Sequence, residues 1–235
     1  MRTLVLALAF AALAQPALAA SRSTDATFEA TLSRRVALPY RVWLPDGYTA
    51  SGKAWPAILF LHGSGERGTD LSFLERNGPP HIAATRGLPF VVIAPQLKEG
   101  ETWSGDAVLA LLDRLEGALA IDTTRVYLTG LSMGAYGAYE AAIAAPTRFA
   151  AVLTVSGAGN PAEVCKLKAV PTWIIHGAKD DIIPVQSGRE MAKRLENCKG
   201  DVRWTLEPDA GHDAWTKVYD DPATYEWFLA HRRAP

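Results

Sequence analysis

Val126-Tyr127-Leu128-Thr129-Gly130-Leu131-Ser132-Met133-Gly134-Ala135 is the stretch that decides how this chain is read. Four residues of strand character run into Gly-x-Ser-x-Gly, and an alanine-rich helical segment, Ala135 to Ala145, follows and stops at Pro146. A serine held on a tight strand-to-helix turn, with a glycine two residues to either side, is the form of a nucleophile elbow. The pentapeptide by itself also fits an ordinary glycine-rich turn. The strand before it and the helix after it favour the elbow.

Working outward, strand-like and helix-like segments alternate. Phe28–Leu32 and Val36–Leu44 are extended in character and end at the turn Pro45-Asp46-Gly47. Ala57–Leu61, Phe90–Ala94, Val126–Thr129, Ala150–Val155, Pro171–His176 and Val202–Glu207 follow. Several are apolar at nearly every position, which marks strands covered on both faces, as in a parallel sheet. Between them, Val108, Leu111, Leu112, Leu115 and Leu119 recur at helical spacing. Ser187-Gly188-Arg189-Glu190 has capping-box form ahead of Met191, Ala192 and Leu195, with Gly200 as a stop. Asp221-Pro222 predicts an N-cap and first helical proline ahead of Tyr225, Phe228 and Leu229. The alternation predicts an α/β fold with a mostly parallel sheet.

A serine hydroxyl needs a base to take its proton. Of His62, His81, His176, His212 and His231, the fourth follows Gly211 in a loop beyond the last strand-like run, at the strand end where α/β sheets collect their sites. His212 is therefore the expected base. His62 is read as shaping a glycine-rich loop, His81 as a loop residue, His176 as bonding locally, and His231 as a surface residue of the last helix. A carboxylate must hold the base in its tautomer, and Asp180 and Asp181 both follow a buried strand. Chain order Ser132, then Asp180 or Asp181, then His212 is the nucleophile–acid–base order of that elbow. Two amides should face a developing oxyanion: that of Met133, and that of Ser64 in the loop His62-Gly63-Ser64-Gly65, with Gly65 as the alternative. No Gly-Lys-Ser/Thr follows this loop, which argues against a phosphate cradle. Trp103 and Trp215 are candidate substrate-binding aromatics, each with a packing role as the alternative.

The chain has 235 residues, 24 Lys+Arg against 25 Asp+Glu, and a formal net charge of −1. That balance, without a basic run, gives no electrostatic footprint for nucleic acid. Arg2, the apolar run Leu4–Ala14 and Ala17-Leu18-Ala19 have the form of a signal peptide over residues 1–19. Its apolar part falls short of the roughly 20 residues of a membrane span. Residues 20–235 are then expected to form one catalytic domain in a periplasmic or secreted protein. An oxidising compartment permits a bridge between Cys165 and Cys198, which precede consecutive strand-like runs; two free thiols are the alternative. Neither cysteine has a metal-ligand neighbour, so no metal and no cofactor is expected.

Leu61-His62-Gly63-Ser64-Gly65-Glu66-Arg67-Gly68, Gly130-Leu131-Ser132-Met133-Gly134 and Gly211-His212-Asp213-Ala214-Trp215 resemble the α/β-hydrolase superfamily. Within it they are similar to a secreted esterase-like group, near feruloyl and acetyl-xylan esterases and polyhydroxybutyrate depolymerases. The resemblance implies a mostly parallel eight-stranded sheet with helices on both faces, and the length of residues 20–235 leads to the expectation of no lid domain. It also selects Asp180, the third residue after glycine in Gly177-Ala178-Lys179-Asp180-Asp181-Ile182-Ile183-Pro184, as the acid. Glu66 and Arg67 match the oxyanion-loop signature and are read as bracing it. The expectation is a serine carboxylic-ester hydrolase acting on small or polysaccharide-attached esters. The alternatives are a serine peptidase of prolyl-oligopeptidase type and a non-catalytic binding protein.

Overall fold

The computed structural model describes residues 35–234, together with Thr27 and Glu29. The chain divides into Met1–Arg35 and Val36–Pro235, and the elements below belong to the second unit. The expected signal peptide lies outside the described residues, as does nearly all of the expected strand Phe28–Leu32. Seven strands are present among the described residues: β1 (Tyr40–Trp43), β2 (Trp55–Leu61), β3 (Val91–Pro95), β4 (Ile121–Leu131), β5 (Ala151–Val155), β6 (Thr172–Gly177) and β7 (Val202–Glu207). They form one sheet in the order β1-β3-β2-β4-β5-β6-β7. Only β1 runs antiparallel, pairing Tyr40 with Pro95 and Trp43 with Val92.

The continuous apolar runs are continuous because both faces of the sheet are buried. Along β2, Ala57, Leu59 and Leu61 enter one core cluster while Ile58 and Phe60 enter the other. The first face is covered by α2 (Gly105–Glu116), α3 (Met133–Ala144) and α4 (Val185–Asn197). The second is covered by α1 (Gly78–Arg86), α5 (Trp215–Asp220) and α6 (Pro222–Leu229). Alternate side chains of a strand point to opposite faces, so each of β2 to β6 supplies both cores. Among the described residues no helix is long and apolar enough to cross a membrane.

Three helical expectations need amendment. Asp221 caps α6 as expected, accepting from the Ala223 amide at 2.9 Å. The capping box at Ser187 does not form: α4 begins at Val185 behind Pro184, and the Ser187 amide bonds the Pro184 carbonyl at 2.8 Å. His81 is not in a loop but inside α1, whose first turn contains Pro79. His231 lies just beyond α6, which ends at Leu229.

Neighbouring strands β4 and β2 connect in opposite directions across the sheet. This reversal is the point at which an open α/β sheet leaves a crevice at the carboxyl ends of its strands. The loops after β2, β4, β6 and β7 all lie on that edge. The opposite edge carries the bridge between Cys165 and Cys198, whose Cα atoms are 5.8 Å apart and 33 residues apart in sequence. It ties the segments that enter the parallel neighbours β6 and β7. Cys165→Ser with Cys198→Ser is expected to cost about 3–4 kcal/mol, read as a lower urea midpoint than that of the oxidised wild type.

Candidate active site

Ser132 links the end of β4 to the start of α3 at φ +51° and ψ −122°. A non-glycine residue there costs of order 1–3 kcal/mol and persists only where its surroundings enforce it. Here they do. The Ser132 amide donates to the Val155 carbonyl at 2.9 Å, and its carbonyl accepts from the Ala135 amide at 3.0 Å. A Cβ at Gly134 would stand 1.9 Å from the Leu61 carbonyl oxygen, and one at Gly130 would stand 2.3 Å from the Gly134 carbonyl oxygen. The two glycines let β2, β4 and α3 meet backbone to backbone, and the hydroxyl is what projects.

His212 Nε2 lies 2.9 Å from Ser132 Oγ. Its Nδ1 lies 3.0 Å from Asp180 Oδ1 and 2.9 Å from Asp180 Oδ2. A carboxylate only accepts, so Nδ1 carries the proton and the bare Nε2 accepts from the serine hydroxyl. Asp180 has a fully buried side chain, whereas that of His212 is 19% exposed. Burial pushes the Asp180 carboxyl up. The His212 bond, the Ile183 and Ile182 amides at 2.9 and 3.0 Å, and the nearby imidazole charge more than reverse this and hold it below the ordinary carboxylate range. Asp181 is exposed and takes no part in this chain. The Asp180 and His212 loops are tied directly: the Ala178 amide bonds the Glu207 carbonyl at 2.8 Å, and the Lys179 amide bonds the Ala210 carbonyl at 2.9 Å.

Met133 is the first residue of α3, and Ser64 opens a 3-10 turn through Glu66. Amides at the first positions of a helix have no carbonyl behind them to bond. The loop from β2 abuts the serine, since a Cβ on Gly63 would be 3.5 Å from Ser132 Cβ. His62 is fully buried; its Nδ1 donates to the Gly63 carbonyl at 2.5 Å and its Nε2 accepts from the Leu97 amide at 3.0 Å. Burial lowers its pKa to about 4, so the ring is a neutral strut. Arg67 donates to Met133 Sδ and Arg76 to the Gly65 carbonyl at 3.2 Å, both bracing the loop.

Trp103 is not a wall of the crevice. It is 6% exposed, its indole N–H donates to the His62 carbonyl at 3.1 Å, and its ring meets His62 edge-on at 4.9 Å. The expectation fails because the ring packs beneath the loop, against the backbone of α3 at Gly137. Trp215 does stand beside the site, its ring perpendicular to His212 at 5.1 Å.

Several neighbours of the site escaped the sequence. Trp215 Nε1 donates to Asn77 Oδ1 at 3.2 Å, and Asn77 Nδ2 donates to Glu66 Oε1 at 2.5 Å. Asn77 thus joins the His212 loop to the loop after β2. Glu66 is 4% exposed, and burial raises its pKa against the pull of Asn77 and backbone amides. Asn77→Ala removes one hydrogen bond from Trp215 and one from the buried Glu66 carboxylate, and is expected to cost about 1–3 kcal/mol in a denaturant titration. Asn77 directly ahead of Gly78-Pro79 was a readable cue for α1, because proline favours a first helical turn. Tyr136 and Ile182 are exposed large side chains, one turn into α3 and two residues past Asp180. Among the described residues no three or more His, Cys, Asp or Glu side chains gather as metal ligands.

The strand order, the crossing connections and the serine turn define an α/β-hydrolase. The chain belongs to the phospholipase/carboxylesterase family, whose sequence profile matches residues 102–225, a span that includes Ser132, Asp180 and His212. It is 30% identical over 180 residues to a bifunctional acetylxylan esterase/xylanase from Neocallimastix patriciarum, covering 73% of this chain and 26% of that one. It is 28% identical over 167 residues to a probable feruloyl esterase C from Aspergillus terreus, covering 68% of this chain and 62% of that one. A thermostable esterase of known structure superposes with a TM-score of 0.73 at 29% identity, covering 83% of this chain and 60% of that one. The chain spans less than two thirds of the length of each of these three relatives.

Proposed function

We propose that this chain is an exported carboxylic-ester hydrolase using Ser132 as nucleophile, His212 as base and then acid, and Asp180 as orienter. The observation that carries the reading is the unbroken run of hydrogen bonds from Ser132 Oγ through His212 to Asp180 at 2.9–3.0 Å. It lies at the strand ends, beside the backbone amides that open two helical turns.

Ser132 Oγ attacks the ester carbonyl carbon as its proton passes to His212 Nε2. The carbonyl π pair moves onto oxygen, where the Met133 and Ser64 amides stabilise it, each such donor being worth roughly a hundred- to a thousand-fold in rate. The tetrahedral adduct collapses, the bond to the alcohol oxygen breaks, and His212 returns the proton to that oxygen. Water then attacks the acyl-serine with His212 again as base, which frees the acid and restores Ser132. Asp180 stays ionised throughout and stabilises the imidazolium formed in each half.

Ester-linked acetyl or aryl groups on carbohydrate are the substrate class favoured by the names of the two enzyme relatives, with Trp215 as an aromatic wall at the acyl or alcohol side. Export is supported by the leader-like residues 1–19 and the bridge between Cys165 and Cys198. The test is a hydrolysis panel with purified protein: p-nitrophenyl acetate, methyl ferulate, acetylated xylan, a phospholipid and a prolyl-peptide amide. Turnover of acetyl or feruloyl esters is the expected result. Preference for the peptide amide overturns the esterase assignment, and no turnover of any of them overturns the enzyme reading.

A further inference from the structure

Parallel neighbours in a sheet are usually joined by a full helix. The connection from β5 to its parallel neighbour β6 carries a 3-10 turn, Val164–Leu167, in that place. One face of α3 is therefore left open toward this connection, and a groove of about 520 Å³ lies between them. Tyr136, Glu140 and Ile143 line it from α3, and Asn160, Glu163 and Lys166 line it from the connection.

The groove starts at the nucleophile. Ser132 stands directly ahead of α3, and Tyr136 follows it by four residues, about 6 Å along the helix axis. Residues four apart share a helix face, and helical side chains lean toward the N-terminus, so the Tyr136 ring lies over the turn that begins at Ser132. The ring is 43% exposed. Partial burial and then the Asp180 charge push its phenol above the ordinary value, so it stands in the field of Asp180 as a neutral hydroxyl.

The lining combines an aromatic face with hydrogen-bonding groups that the fold does not use. Glu140 Oε1 accepts from the Gly105 amide at 2.9 Å and Asn160 Oδ1 from the Ala162 amide at 3.0 Å. Glu140 Oε2, Asn160 Nδ2 and the Tyr136 hydroxyl are left without a partner among the described residues. Glu163 and Lys166 neutralise one another. The one unbalanced charge, on Glu140, disfavours an anionic ligand. Covering these polar groups with an acyl chain would desolvate them with nothing to bond, which is costly. A sugar ring meets both requirements, since its faces present C–H groups to an aromatic ring and its edge presents hydroxyls to the amide and carboxylate.

We propose that this groove is the subsite for the carbohydrate part of the ester substrate, with the Tyr136 ring as its stacking platform beside the reacting ester. The inference rests on the hydrolase reading of Ser132, His212 and Asp180.

Xylotetraose, which carries no ester, titrated into nitrogen-15-labelled wild-type protein is expected to shift the backbone amides of Tyr136, Glu140 and Asn160 and the Asn160 side-chain amide. No shifts with the oligosaccharide in large excess, or shifts confined to other residues, overturn the proposal. On acetylated xylotetraose, Tyr136→Ala is expected to raise KM about tenfold with kcat little changed, as when an aromatic contact made equally before and during bond breaking is lost. The ratio of kcat/KM on this substrate to that on p-nitrophenyl acetate should fall by the same factor. Tyr136→Phe, which keeps the ring face, should restore most of it. An equal fall on both substrates marks a structural role for Tyr136 and overturns the proposal. A fall confined to p-nitrophenyl hexanoate makes the groove an acyl-chain site and overturns it as well. If the wild-type protein hydrolyses no ester, the hydrolase reading fails while the titration still decides the groove.

Discussion

Ser132→Ala is expected to lower kcat on p-nitrophenyl acetate by about 10⁴–10⁶-fold, leaving the weak turnover supplied by binding and the two amides. The size follows from what the substitution removes. The hydroxyl is the atom that would form the acyl bond, and among the described residues no other side chain accepts or donates at His212 Nε2. The same position allows activity to be separated from stability. Alanine keeps the φ of +51° and its strain, so the melting temperature of Ser132→Ala should stay near that of the wild type. Ser132→Gly relieves that strain, and should be as inactive but more stable by up to about 1 kcal/mol. A Ser132→Ala protein that retains more than a hundredth of the wild-type kcat would remove Ser132 from the mechanism.

The second large effect discriminates between adjacent acids. Asp180→Asn should reduce kcat about 10⁴-fold, because a neutral amide neither holds the Nδ1–H tautomer nor stabilises imidazolium. Asp181→Asn should stay within about twofold, as expected of an exposed surface substitution. Stability carries a matching signature. The folded Asp180 pKa is depressed, so its ionised form favours the native state above the ordinary value of about 3.9, and that contribution is lost as pH falls through the folded value. In Asp180→Asn the unfolding free energy should therefore fall less steeply in that acidic window. Equal loss of kcat in both variants would mean that the family resemblance, which chose Asp180 over Asp181, does not single out the acid.

The parts of the molecule legible in the sequence are those set by local chain chemistry. Ser132 was readable because the strand, the two glycines and the helix are contiguous, and the clash distances at Gly130 and Gly134 are the physical content of that pattern. Asp180 was readable as a loop residue past a buried strand, and His212 as one past the last, half-exposed strand. Trp103 stayed open between a substrate wall and a packing role because a tryptophan in a loop looks the same whether its indole points at a ligand or at the His62 carbonyl. Asn77 bonds Trp215 across 138 residues, and no local signal marks that pairing. The strand β4 extends back to Ile121 through polar Asp122, Thr123, Thr124 and Arg125, which carry no apolar run; the pairing of Trp55 with Ile121 begins it.

The bridge between Cys165 and Cys198 divides the site covalently. Within the closed ring lie β6, His176, the Asp180 loop and α4; Ser132 and His212 lie on the two chain segments outside it. A molecule pulled by its ends would transmit force through the sulfur atoms and never extend the acid-bearing segment. Reduction under load would release the 33-residue span as a single added step in contour length, on the order of 110 Å at 3.3–3.6 Å per residue. The Asp180 carboxylate would thus be the last of the three hydrogen-bonded side chains that tension could draw out, and the one whose release requires a chemical reductant.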